Sequence, residues 1–251
     1  MSSHLYILTG SSRGMGLAMA EQLLGPNHRL LCIARNPNEA LSVQAQKLNC
    51  NIEQWAQDLE HSTQAAERLT QWLALQEVSD LSSATLINNA GAIPHIAPLS
   101  ASDPLDLARA LRVGLEAPML LTAAFLKATQ AWNLPRKVLN ISSGLGRRAM
   151  ASQAAYCAAK AGMDHFTRCL ALDEARHPQG AKVCSLAPGV IDTDMQVQLR
   201  GADIAEFPDK NNFLNLKLNH QLTSAAQAAT QVLGYLARPD FGANPVADVR
   251  D

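Results

Sequence analysis

The chain alternates short apolar runs with longer stretches in which apolar residues recur every three or four positions. Short continuous runs read as strands covered on both faces, and the slower recurrence reads as helices with one buried stripe. Strands are therefore expected at Leu5–Thr9, Arg29–Ala34, Asn51–Ala56, Thr85–Asn88, Lys137–Ile141 and Lys182–Leu186. Helices are expected at Met15–Leu24, Pro37–Leu48, Ser62–Gln76, Asp103–Ala128, Gln153–Arg176 and Thr223–Leu236. Such alternation implies parallel strands, right-handed crossovers and helices on both faces, an α/β doubly wound parallel sheet. Gly114 and Pro118 predict a distortion in the long helix. The stretch 196–222 breaks the rhythm with Gly201, Pro208, Asn211 and Asn212, and reads as a segment covering a substrate.

Composition narrows the picture. At ~150 residues per domain, 251 residues fit one large domain or two small ones. No Pro/Gly/Ser linker divides the chain, so one domain over 1–251 is expected. Apolar residues at 47% against 17% charged exclude a disordered chain. The balance of 21 cationic and 22 acidic side chains, 21 − 22 = −1, offers no global attraction for nucleic acid or an anionic membrane. Five cysteines without a C-x-x-C exclude zinc-ribbon and thioredoxin-type readings, and their odd number fits reduced thiols in the cytoplasm. Met1–Leu8 has no cationic run and enters strand-like residues directly, so no secretory leader is expected. No apolar run approaches ~18 residues, so no membrane span is expected. Seven scattered histidines give no metal motif, and no metal is expected.

Chemistry enters after the first strand, at Thr9-Gly10-Ser11-Ser12-Arg13-Gly14-Met15-Gly16. Glycines there allow a tight turn and a close backbone approach to a pyrophosphate. The helix that follows presents its free N–H groups to that anion. Arg35, followed by Asn36, sits directly after the second strand, where an adenosine ribose would lie. A carboxylate there would accept from a 2′-hydroxyl, whereas a guanidinium pairs with a 2′-phosphate. Arg13 and Arg35 without an acid point to NADP(H) rather than NAD(H).

Tyr156 and Lys160 are spaced i, i+4 near the start of a helix, which puts phenol and ammonium on one face. A free tyrosine, with pKa ≈ 10, is a poor acid at neutral pH, and a neighbouring cation favours its phenolate. Ser143, just past the strand ending at Ile141, could hydrogen-bond a substrate carbonyl.

Together these residues resemble the short-chain dehydrogenase/reductase family, whose fold is a Rossmann-type sheet. The likeness runs from about residue 4 to 195. It rests on Thr9-Gly10 with Gly14-Met15-Gly16, Asp58-Leu59, Asn88-Asn89-Ala90-Gly91, Ser142-Ser143, Tyr156 with Lys160, and Pro188-Gly189-Val190-Ile191-Asp192-Thr193. The resemblance implies Tyr156 as general acid, Ser143 orienting the carbonyl, and Lys160 tuning Tyr156 and holding the nicotinamide ribose. It implies that Gly10, Ser12, Arg13, Gly14, Met15 and Gly16 hold the pyrophosphate, with Arg35 and Asn36 at the adenosine ribose. Asp58 and Leu59 would meet the adenine, and Asn89, Ala90 and Gly91 would line the cofactor's path. Pro188, Gly189, Val190, Ile191 and Thr193 would pack on the nicotinamide, with Gly189 also facing substrate.

A narrower likeness, carried by Ala34-Arg35-Asn36, Tyr156-Cys157-Ala158, Asp192-Thr193-Asp194-Met195-Gln196 and the ending Ala247–Asp251, is to the sepiapterin reductase and benzil reductase subgroup. It implies a small ketone or diketone substrate, and Asp248 as a carboxylate that would anchor a pterin. One departure stands out: Gly114 occupies the place of a family asparagine that holds a proton-relaying water. Three readings follow. The first is an NADPH-dependent carbonyl reductase. The second is a 3-oxoacyl-thioester reductase, with Arg147 and Arg148 available to an acidic carrier. The third is a non-catalytic NADP(H)-binding regulatory protein. A homodimer or homotetramer is expected, because the helices Asp103–Ala128 and Gln153–Arg176 carry apolar residues such as Leu105, Met119, Phe166 and Leu170 on more than one face.

Overall fold

Alternate residues of the central strands feed two separate cores. In β1 (Ser3–Thr9), Leu5 and Ile7 face one side and Leu8 the other. In β2 (His28–Ala34), Leu31 and Ile33 join the first core while Leu30 and Cys32 join the second. Both faces must then be covered by helices. The computed structural model describes residues 3–251; Met1 and Ser2, the start of the expected 1–251 domain, lie outside the described residues.

The remaining elements are α1 (Gly14–Leu23), α2 (Glu39–Lys47), β3 (Asn51–Ala56), α3 (Ser62–Ala74), β4 (Leu81–Asn88), α4 (Pro104–Leu111), α5 (Ala117–Thr129), β5 (Arg136–Ile141), α6 (Ala154–Glu174), β6 (Lys182–Ala187), α7 (Asp194–Gly201), α8 (Lys210–Leu218), α9 (Ala225–Ala237) and β7 (Val246–Asp248). They form one seven-stranded parallel sheet in the order β3-β2-β1-β4-β5-β6-β7. The α/β, doubly wound fold class is as expected. Helices α3 and α5 cover one face, and α1 and α9 the other. Strand order reverses between β1 and β4. The crevice outside the carboxyl ends of these strands is where open α/β sheets bind ligands.

Two ties set the shape of that crevice. The Thr9 hydroxyl accepts from the N–H groups of Asn89 and Ala90, both at 3.0 Å, while Asn89 Nδ2 donates back to Thr9 O at 3.0 Å. Behind them, Asn88 Nδ2 donates to Asn140 Oδ1 (2.8 Å) and Thr122 Oγ1 (3.0 Å), and Asn140 Nδ2 donates to Thr167 Oγ1 (2.9 Å). This buried amide ladder pins β4 and β5 to α5 and α6.

Several boundaries differ from expectation. α2 starts at Glu39 rather than Pro37, because Asn38 caps it by accepting from the Leu41 N–H. The long helix over 103–128 is interrupted by a π-helical turn at Arg112–Glu116, the distortion that Gly114 and Pro118 predicted. There Gly114 approaches α6 so closely that an added Cβ would lie 3.2 Å from the Ala159 Cβ. The irregular stretch 196–222 carries α7 and α8, held by a small third core of Ile96, Leu199, Phe207 and Phe213. β4 begins four residues earlier than expected, and β7 was not expected. Among the described residues no helix is long and apolar enough to cross a membrane.

The separateness of the third core predicts a contrast. Phe125 is fully buried under the sheet, and Phe125→Ala should cost about 3–5 kcal/mol of global stability in urea unfolding. Phe207→Ala should instead leave the urea midpoint close to wild type and speed amide exchange within α7 and α8. Uniform loss of protection in both variants would show that the third core unfolds with the rest.

Candidate active site

The crevice is a cleft of about 830 Å³ that runs from the Gly10–Gly16 turn to Asp248. Its floor at one end is the start of α1. Arg13 occupies the N-cap there without making a side-chain cap, so the first-turn N–H groups stay free. Gly10 and Gly14 take positive φ angles of 71° and 56°. A Cβ on Gly16 would fall 2.0 Å from Gly10 O, so only glycine lets the helix start this close to the strand. These features fit a pyrophosphate-bearing dinucleotide.

All but one of the expected cofactor-binding residues line the cleft. Asn36 does not: it is exposed, and two residues on it is Asn38 that contacts the turn, through Nδ2 to Ser12 O at 3.4 Å. Arg35 lines the cleft, is exposed, and makes no ion pair among the described residues. Arg13 pairs with Asp194 at 2.7 Å, with both side chains about two-thirds exposed. Such a surface pair is weak and readily exchanged.

At the other end Ser143, Tyr156 and Lys160 come together. Ser143 follows β5 directly, and its Oγ accepts from the Leu145 N–H at 3.2 Å, turning the chain there. Tyr156 and Lys160 are both buried. Lys160 Nζ donates to Ile141 O at 2.7 Å and lies 5.8 Å from the Tyr156 ring centre. Burial pushes the phenol up, and the Ser143 hydroxyl pulls it partly back. Burial also pulls the ammonium down to about 8, against the opposing pull of Asp164. The expected lowering of Tyr156 by Lys160 is therefore not found: burial dominates the phenol, and the ammonium is directed at a backbone carbonyl.

Four further residues shape the site that the motifs did not mark. Asp164 extends the Tyr156–Lys160 spacing by another i+4 step, so the sequence did carry this signal. It is 2% exposed and accepts from Ser142 Oγ (2.6 Å), Ser185 Oγ (2.7 Å) and Arg147 Nε (3.1 Å). Arg147 also donates to Ala247 O at 2.7 Å, so although it is exposed it is engaged, and not free as the carrier-protein reading assumed. Arg250 holds Asp248 as a fork, Nε to Oδ1 at 2.6 Å and Nη2 to Oδ2 at 2.7 Å, which keeps that carboxyl below its usual range. Gln153 lines the cleft and is buried. Asp248 itself is not a loose tail residue, because β7 pairs it with Ala187 of β6 and brings it to the cleft.

Known proteins resemble this chain. A benzil reductase ((S)-benzoin forming) of Bacillus cereus is 33% identical over 94% of each chain. A sepiapterin reductase of Xenopus tropicalis is 34% identical over 80% of this chain and 78% of its own. These relatives match the subgroup that the sequence resembled. A solved metagenomic short-chain oxidoreductase in complex with NADP superposes with a TM-score of 0.72, at 25% identity over 98% of this chain and 95% of that one. The family model for short chain dehydrogenase matches residues 4–203, from the first strand through α7. A match of that extent, on a sheet whose order and crevice agree with it, places the chain in the short-chain dehydrogenase family of oxidoreductases.

Proposed function

We propose that the protein is an NADPH-dependent carbonyl reductase acting on a small ketone or vicinal diketone, with Tyr156 as general acid. The observation that carries this reading is a buried tyrosine and lysine, one helical turn apart, in the same cleft as an uncapped helix start opened by glycines. NADPH, when bound, supplies the hydride. The turn from Gly10 to Gly16 would hold its pyrophosphate, and Arg35, with Arg13 released from Asp194, its 2′-phosphate. Asp58 and Leu59 would hold the adenine, Asn89 to Gly91 the adjoining path, and Pro188 to Thr193 the carboxamide.

Ser143 would donate a hydrogen bond to the substrate carbonyl and orient it. Tyr156 would then give its proton to that oxygen as negative charge develops there. Its raised pKa keeps the phenol protonated at neutral pH, as an acid must be. Lys160, lowered to about 8, is a ready proton source for the phenolate left behind. Asp164 favours the charged form of the lysine, and the Ile141 carbonyl holds it in place.

The diketone reading takes support from the Bacillus cereus relative, a benzil reductase. A pterin-type substrate ranks second, because Arg250 already engages both oxygens of Asp248. Of the two arginines that the carrier-protein reading relies on, Arg147 is committed to Asp164, which leaves Arg148. Gly114 was the support for a non-catalytic protein, and its close approach to Ala159 gives it a packing reason instead. All five cysteines are unpaired, which fits a reducing, cytoplasmic setting.

Exposed Leu105 on α4, Met119 on α5 and Leu172 on α6 support a homo-oligomer built on these helices, a homodimer or homotetramer. Sedimentation at micromolar concentration should give at least twice 27.0 kDa, falling towards the monomer in a Leu105→Glu, Leu172→Glu double variant. Monomer alone in the wild type would count against it.

Two sets of variants test the chemistry. Tyr156→Phe should lose about 10²–10⁴-fold in turnover while still binding NADPH. Arg35→Ala should weaken NADPH binding by about 10- to 100-fold with NADH little affected. Equal wild-type use of both cofactors would refute the NADPH assignment, and an active Tyr156→Phe protein the mechanism.

The pH dependence follows from Lys160. Its charge is present below about pH 8 and lost above it, so kcat/KM for carbonyl reduction should decline on that alkaline side. Asp164 favours the charged form, so Asp164→Asn should move the decline to lower pH. A profile unchanged by that substitution would remove Asp164 from this role.

A further inference from the structure

Gln153 stands three residues before Tyr156, at the N-cap of α6. Residues at that position ordinarily accept from first-turn N–H groups through a short side chain. The Gln153 side chain makes no such bond. It is 1% exposed, and neither its amide oxygen nor its amide nitrogen has a partner among the described residues. Buried side-chain amides are nearly always hydrogen-bonded, because leaving both ends unpaired is costly. Gln153 also lines the cleft together with Ser143 and Tyr156. Two other polar groups there are already engaged, Asp248 with Arg250 and Gln196 with Arg200. Ile93, Met150, Leu199 and Phe213 supply an apolar wall.

We infer that Gln153 is a specificity-determining residue that hydrogen-bonds the second oxygen of a vicinal dicarbonyl while Ser143 and Tyr156 engage the first. This deepens the carbonyl-reductase reading and rests on it. Residues three apart at a helix start are neighbours on one face, so a group one carbon from the reacting carbonyl meets the amide. The amide N–H donates to that second carbonyl, which is not reduced. Hydride and proton add across the first C=O alone, giving an α-hydroxyketone, and the second C=O keeps its bond to Gln153. A substrate with a methylene at that place would leave the amide as unpaired as it is in the protein alone.

The test compares benzil with deoxybenzoin, which differs from it only in a CH₂ for the second carbonyl. The two ketones differ in intrinsic reactivity, so the quantity read is the change in their kcat/KM ratio on substitution. Gln153→Met, similar in length and without hydrogen-bonding ends, should cut the benzil-to-deoxybenzoin ratio by about 10- to 100-fold. Titration calorimetry on the protein saturated with NADP⁺ should show a matching selective loss of benzil affinity without turnover. Gln153→Asn keeps an amide that is too short, and should fall between the two if the methionine variant folds poorly. A ratio unchanged in both variants, whether the two rates fall together or hold, would overturn the inference and leave the carbonyl-reductase reading standing. Wild-type protein that reduces neither ketone would overturn that reading, and this inference with it.

Discussion

The site depends on one costly act, the burial of the Lys160 ammonium. A lysine is seldom fully buried without partners, because its charge loses the hydration that water provides. Here the cost is offset by the Ile141 carbonyl at 2.7 Å and by Asp164 a helical turn away, and what remains appears as a pKa near 8. The arrangement ties the end of β5 to the face of α6, so the strand that carries Ser143 and the helix that carries Tyr156 cannot slide independently. Asp164 carries the tie further, through Ser142 to β5, through Ser185 to β6, and through Arg147 to Ala247 of β7. The C-terminal strand, and Asp248 with it, is thereby positioned from the same helix, α6, that carries Tyr156 and Lys160.

At the opposite end of the cleft the organising constraint is steric. Thr9 and Asn89 close the gap between β1 and β4, the two strands at which the sheet reverses order. Gly16 lets α1 begin almost on top of the Gly10 carbonyl, which leaves the helix start open towards the cleft. The two ends thus use different physics: backbone N–H groups and a helix dipole suit a phosphate, whereas a desolvated phenol and ammonium suit proton transfer. The Asn88–Asn140 ladder lies between them, and it holds the central strands that set their separation.

Much of this was legible in the residues. Apolar runs marked the central strands because each is covered on both faces, whereas the edge strand β3, with Asn51, Glu53 and Gln54, gave a weaker pattern because only Trp55 is buried. Gly114 and Pro118 announced the π-helical turn, and Tyr156 with Lys160 announced the helix face. What escaped notice did so for physical reasons. β7 has only three residues and gains its place from pairing with β6, not from its own pattern. α7 and α8 cover little apolar area, so their stripe is thin and their turn residues dominate. Asn36 was expected at the cleft because it follows Arg35, but the chain turns there and Asn38, as the cap of α2, makes the contact. Arg147 resembled a rim cation in sequence; its partner, Asp164, is seventeen residues away and meets it only because α6 packs under the strand ends.

The departure at Gly114 shows how far packing and chemistry are linked in this site. An asparagine side chain at 114 would enter the space now taken by Ala159, the residue immediately before Lys160. On the next turn of α6, a Cβ on Gly162 would fall 2.8 Å from Leu115 Cδ2, so the two segments are matched by small residues on both sides. Glycine at 114 is therefore part of a close helix contact, and the π-helical turn absorbs the extra backbone that this contact requires. Any proton relay through that point must then run differently from one built on an asparagine-held water. The buried groups nearest to hand are Lys160 and its carboxylate, Asp164. The ammonium is held by the Ile141 carbonyl, and Asp164 favours its charge while fastening Ser142, Ser185 and Arg147 to α6. Glycine at 114 accordingly has a packing reason of its own and is not by itself an argument against catalysis.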